Sequence, residues 1–225
     1  MTSNFDQHQA NEALQRILHG TDTEGRGLAT LVEQFQNGFD LANLKLLLDH
    51  EDENIVTHGI YILSELGPNG TPLAAEALAL LDHRNWSVRY YAIDCLLGMK
   101  GVTGVAIAKV LELLADEDVR VRQKAIDFVA RKDIAALESA NSALTCCKNK
   151  AFHLSGLRLV VKAGIGSLQE IEEGLQSDEK ILRSYSLAAA IRLLRAGAKL
   201  IVRASKSSDT AIREEAELKR KSYSI

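Results

Sequence analysis

The stretch LLDHRNWSVRYYAIDCLLGMKG, residues 80–101, decides how the rest of the chain is read. It contains the end of one helix at Leu80 and Leu81, a polar turn over residues 82–86, and a second helix from Ser87 to about Leu97. Shifted by 33 residues in either direction, the stretch lands on itself. Leu48, Leu81 and Leu114 align at the end of the first helix, and Ile55, Val88 and Val121 at the start of the second. Gly59, Ala92 and Ala125 share a position reserved for small residues. Ile60, Ile93 and Ile126 follow it, and then Leu63, Leu96 and Val129. VRYYAID at 88–94 and VRQKAID at 121–127 agree at five of seven positions. A fixed period of this length marks a repeat architecture rather than a catalytic motif.

Two further copies follow with drifted spacing. Phe152, Gly156, Leu157 and Val160 take the places of Val121, Ala125, Ile126 and Val129. Leu182, Arg183, Ser186 and Leu187 do so again, and a frayed copy begins at Ile212–Arg213 with Ala216 at the small position. A small residue at one site lets paired helices approach closely, while the apolar positions around it give each helix a buried stripe. One pair cannot bury both of its faces, so neighbouring pairs must stack.

The LLxD turn followed by VRxxAIxxL resembles the HEAT repeat, and the resemblance covers about residues 41–218. It implies an all-α fold, a right-handed α–α superhelix (a HEAT-like solenoid) of five to six helical hairpins. The expected domain runs over residues 9–221, with units at about 9–36, 41–67, 72–98, 105–130, 137–163, 167–194 and 198–221. Residues 1–8 and the highly charged last twelve are expected to be disordered or frayed. In HEAT repeats, arginines at one repeat position commonly pair with acidic residues of adjacent units. Arg89, Arg122, Arg183 and Arg213 occupy such a position here, with Asp82, Asp94, Asp116 and Asp127 as candidate partners. Val56 and His153 interrupt the series.

Composition bounds the rest. Apolar residues make up 46% of the 225 and aromatic residues only 5%, which suits leucine- and alanine-rich helices. The two prolines, Pro68 and Pro72, share one turn, as a mostly helical chain requires. No apolar run approaches the ~20 residues that span a bilayer, and no basic-then-apolar leader opens the chain, so no membrane contact is expected. Three cysteines, Cys95, Cys146 and Cys147, form no disulfide framework; this favours a reducing, cytoplasmic setting. The net charge of −3 is uneven: residues 1–54 carry ten acidic and three basic side chains, residues 199–225 seven basic and four acidic.

No catalytic constellation is present in the sequence. Cys146–Cys147 with His153 lacks zinc-ligand spacing, and the turn acids lack the alternation and central glycine of a calcium loop. His50 and His83 fall at the same turn position, where a polar turn role competes with metal binding. Gly98, Gly101 and Gly104 lack the lysine and strand of a phosphate loop. No cofactor is expected.

Binding candidates are clearer. Thr57, Tyr90 and Gln123 stack in one row of the second helices, and Tyr61, Asp94 and Asp127 in the next. Since the inner helices of HEAT solenoids line a concave surface, Tyr61, Trp86, Arg89, Tyr90, Asp94, Gln123 and Asp127 would form a protein-binding patch there. Ordinary packing is the alternative, since the register does not fix which side faces solvent. Asp49, Glu51, Asp52 and Glu53 crowd one turn as a second, acidic ridge. Both features suit a basic protein partner. The function expected is that of a non-catalytic scaffold or occluding partner, and small HEAT-like proteins of this sort resemble bacterial immunity proteins that cover a toxin. Two HEAT-like alternatives are the alkylpurine DNA glycosylases, for which Trp86 and Asp94 are the available residues, and chromophore lyase subunits. A pI near 6.1 opposes nucleic-acid binding, which needs clustered Lys and Arg.

Overall fold

Several turns of the repeat end in a residue whose side chain caps the next helix, and this chemistry helps set the element boundaries. A computed structural model describes residues 6–22, 25–146, 149–163, 168–193 and 195–225. It is all-α, with fourteen α-helices and short 3₁₀ turns among the described residues. Contacts divide the chain into two compact units, Met1–Val102 and Thr103–Ile225. The first contains α1 (Gln7–Leu18), α2 (Arg26–Gln36), α3 (Ala42–Leu48), α4 (Glu53–Glu65), α5 (Ala74–Ala79) and α6 (Trp86–Gly98). The second contains α7 (Gly104–Glu112), α8 (Val119–Arg131), α9 (Ile134–Ser139), α10 (Lys150–Lys162), α11 (Leu168–Leu175), α12 (Lys180–Arg192), α13 (Arg195–Ala204) and α14 (Thr210–Ser222). Helix α1 starts inside the segment expected to be disordered, because Asp6 caps it by accepting the N–H groups of His8 and Gln9.

The same turn recurs before α4, α6, α8, α12 and α14. A side-chain acceptor takes the backbone N–H two residues on: His50 Nδ1 from Asp52 (3.0 Å), His83 Nδ1 from Asn85 (3.1 Å) and Asp116 Oδ1 from Asp118 (2.8 Å). Ser177 and Ser207 do the same for Glu179 and Asp209. The residue that donates this N–H is the N-cap, and Asp52, Asn85, Asp118 and Asp209 each accept a first-turn N–H with their own side chains. The two histidines therefore serve as turn acceptors.

The repeat arginine is the fourth residue of its helix, and its side chain runs back towards the N-terminus. Arg89 Nη1 donates to the carbonyls of His83 and Arg84 at 2.8 and 3.0 Å. Arg122 clasps Asp116 and Glu117 at 2.7 and 3.0 Å, and Arg183 clasps Ser177 and Asp178 at 2.8 and 3.0 Å. Arg213 clasps Ser207 and Ser208. Each of these arginines thus clasps its own helix's turn, a contact that the repeat register alone does not reveal. Arg183 adds a rung of the expected kind, its Nε pairing with Glu215 of α14 at 3.1 Å.

The small position behaves as the repeat requires. A Cβ on Gly59 would stand 2.8 Å from Leu47 Cβ, while Ala92 and Ala125 are fully buried. At Gly156 the Tyr185 ring lies where a Cβ would be, 2.1 Å from Cδ2.

Tyr185 belongs to α12, on which the second unit is built. From Ser184 to Ala190 no side chain of α12 is more than 1% exposed. The helix packs against α8, α10, α11 and α13. Five of the seven residues of SYSLAAA are serine or alanine, which admit close neighbours on several sides, and Gly156 makes room for the ring of Tyr185. Ser184 and Ser186 satisfy their hydroxyls on the carbonyls of Lys180 and Leu182, one turn back. Sequential stacking would place α10 against α8. Instead α12 packs on α8, and Arg192 Nη1 donates to the carbonyls of Val129, Ala130 and Lys132 where α8 ends. Helix α14 also folds onto α8, so residues expected to fray are ordered through Ser222.

His153 stands where α10 would carry the clasp. It is 1% exposed, its Nδ1 lies 3.0 Å from the Tyr185 hydroxyl, and burial pushes its pKa down to about 4. The folded state therefore disfavours the proton that the unfolded chain accepts near pH 6.5. Stability from this site is complete above pH 6.5 and falls as pH drops towards 4, by roughly 3 kcal/mol at the limit. Urea unfolding between pH 7 and 4 is expected to show this loss, and His153→Gln to flatten the slope.

Candidate protein-binding face

Helices α4 and α6 pack side by side in the first unit, and their aromatic residues form one connected row. Tyr61 meets Tyr91 edge-on, with ring centroids 5.4 Å apart and planes at 73°. Tyr91 meets Tyr90 at 5.3 Å and 89°, and Tyr90 meets Trp86 at 6.5 Å and 76°. Edge-to-face pairs of this kind add about 0.5–1.5 kcal/mol each beyond area burial. All four rings are half-buried: their inner edges pack and their outer parts meet solvent. Asp94, also half-buried, follows Tyr90 by one helical turn and so lies on its face. His58, at the repeat position of Tyr91, has a buried Nδ1 with no hydrogen-bond partner among the described residues.

The structure thus gathers Tyr61, Trp86, Tyr90 and Asp94 on the α4–α6 pair. It withdraws Arg89, which is 7% exposed and occupied with its turn. The sequence reading missed Tyr91, although the ring joins Tyr61 to Tyr90; its signal was the YY pair, of which the register followed only the first.

Gln123 and Asp127 lie on α8 in the second unit, where α14 covers them. Lys219 Nζ donates to the Gln123 carbonyl at 2.7 Å and to Asp127 Oδ1 at 2.6 Å. The Tyr223 hydroxyl donates to the same Asp127 oxygen at 3.0 Å. Lys219 is 1% exposed, and burial lowers its pKa against the opposing pull of Asp127. Burial, then the charge of Asp127, raises the pKa of Tyr223, which keeps its hydroxyl a donor. Asp127 is therefore engaged within the chain.

In the acidic turn, Asp52 caps α4 and Glu53 pairs with Arg84, so both have roles within the first unit. Asp49 and Glu51 are exposed. Cys95 is buried with its thiol on the Ile60 carbonyl, whereas Cys147 lies outside the described residues. Among the described residues no three His, Cys, Asp or Glu side chains could together hold a metal ion, and no helix is long and apolar enough to cross a membrane.

No protein-family model matches the chain, and no curated protein matches it either. Among solved structures, it is similar to a designed armadillo repeat protein in complex with the peptide (KR)4. The two share 14% sequence identity over 96% of this chain and 93% of that one, with a TM-score of 0.43. The helical hairpins and their internal period rest on the residues and contacts described above.

The burial of Lys219 gives Asp127 a measurable structural role. Asp127→Asn strands a buried ammonium, which usually costs 3–5 kcal/mol when both partners are buried. Because the Asp127 side chain is 23% exposed, a loss of about 2–3 kcal/mol is expected in urea unfolding.

Proposed function

We propose that this protein is a non-catalytic protein-binding scaffold, and that the α4–α6 face receives a basic segment of its partner. The observation that carries this reading is the Lys219 contact. In the second unit a lysine sits on α8 between the carbonyl of residue 123 and the carboxylate of residue 127. One repeat earlier, α6 offers the same i, i+4 arrangement at Tyr90 and Asp94. There the half-buried rings of Trp86, Tyr90 and Tyr91 cluster on the same helix as the carboxylate. An ammonium over such a ring gains about 0.5–2 kcal/mol, and aromatic anchors dominate the energetics of protein interfaces.

The exposed carboxylates of Asp49 and Glu51 favour a basic partner over an acidic one. Occlusion of a basic toxin, the task of immunity proteins, is one form this binding would take.

Trp86 is the only tryptophan, so its emission reports on this face directly. A synthetic peptide with the sequence of residues 210–225 carries Lys219 among its native neighbours. The peptide is expected to shift Trp86 emission saturably. Tyr90→Ala or Asp94→Asn should weaken binding at least tenfold, about 1.4 kcal/mol, and replacement of the peptide's Lys219 by norleucine should do the same. Equal binding by the norleucine peptide, or no change in emission at all, would overturn the reading.

A further inference from the structure

In the second unit a cleft of about 970 Å³ opens where the first turns of α8, α12 and α14 converge. Arg122, Lys180, Arg183 and Arg213 line it, with Val119 and Leu218 among its apolar contacts. Both apolar side chains are solvent-exposed, at 37% and 41%.

The repeat itself produces this concentration of positive charge. Three of the four cations are the clasp arginines, brought together because each is the fourth residue of a helix and the three helices are neighbours. Their clasps satisfy guanidinium donors with neutral carbonyls, and a carbonyl cancels no charge. Arg183 is paired with Glu215. Arg122, Lys180 and Arg213 have no carboxylate within 4.0 Å among the described residues. Lys180 is held among like charges: its pKa is lowered by burial first and then by Arg122, with a smaller contribution from Arg183, while Glu215 and Asp116 pull the other way. Of the remaining acidic side chains on the cleft, Glu217 is tied to Arg220 and Lys221, and Glu214 stands at the exposed rim.

We propose that this cleft is a binding site for a small organic anion, a phosphate or carboxylate group carried on an apolar body. The anionic group would meet Lys180, Arg122 and Arg213, and the apolar body would lie against Val119 and Leu218. The volume falls in the range of small-molecule sites, roughly 300–1,000 Å³. The rim carboxylates disfavour a long polyanion, which would have to pass Glu214.

The test uses the full chain and three probes, phenyl phosphate, benzoate and inorganic phosphate, followed by calorimetry and by NMR of ¹³Cε-labelled lysine. Phenyl phosphate or benzoate should bind at least tenfold tighter than inorganic phosphate, and the Lys180 titration should move to higher pH as the anion fills the site. Lys180→Gln should weaken binding tenfold or more while leaving the urea midpoint unchanged, since Lys180 clasps nothing. Lys180→Arg should restore most of it, and Leu218→Ser should narrow the preference for phenyl phosphate over inorganic phosphate. The proposal fails if none of the probes binds at millimolar concentration or if Lys180→Gln binds like the native chain. It also fails if a twelve-residue oligothymidylate binds more tightly than phenyl phosphate, for that would identify a nucleic-acid surface.

Discussion

A helix that packs on neighbours along its length still has to begin somewhere, and the turn before it brings carbonyl groups that no helical N–H can reach. In this chain a guanidinium reaches back from the first helical turn and supplies the missing donors. Hydrogen bonds from a charged donor contribute about 1.5–3 kcal/mol each, and Arg89, Arg122, Arg183 and Arg213 each make two to a single turn. The clasp fixes the angle at which the chain enters the inner helix, and the small residue three positions on then sets how closely that helix meets its neighbour. Where the arginine is replaced, the structure compensates differently: His153 is buried against Tyr185, and Val56 packs as part of the core.

Much of this was legible in the residues. The 33-residue period located the inner helices of the first three repeats and the small position at Gly59, Ala92 and Ala125. It also set Tyr90 in one row of the second helices and Tyr61 with Asp94 in the adjacent one. These features follow from local spacing, which a sequence carries openly. The clasp of each arginine on its own turn was not legible, because it depends on the direction of Cα–Cβ along the helix, which a register of aligned positions does not carry.

The arrangement of the second unit was not legible for a different reason. That α12 displaces α10 from the side of α8 depends on how small SYSLAAA is on all faces at once, not on any period. Ordinary amphipathic patterning assigns one buried stripe to a helix, whereas this one is buried all round. Helix α14 was obscured by composition. LKRKSYSI reads as a solvated tail, yet the lysine at 219 has a carboxylate, a carbonyl and a tyrosine ring waiting for its stem and charge. Charge alone does not distinguish a tail from a tether; the partner 92 residues away does.

That tether changes how the second unit comes apart. In a pure repeat array each hairpin touches only its sequence neighbours, so stability adds along the chain and the ends can peel away singly. Here α8 is held by α12 and by α14, at separations of 60 residues and more. Its carbonyl end is closed by one helix and its outer face by the other. Closing loops of that length costs entropy before any contact rewards it, which makes folding of this unit slower and more cooperative than that of a chain of independent hairpins. The amides of α8 should accordingly exchange with solvent only when α12 and α14 have both let go, as one foldon rather than as a link in a row.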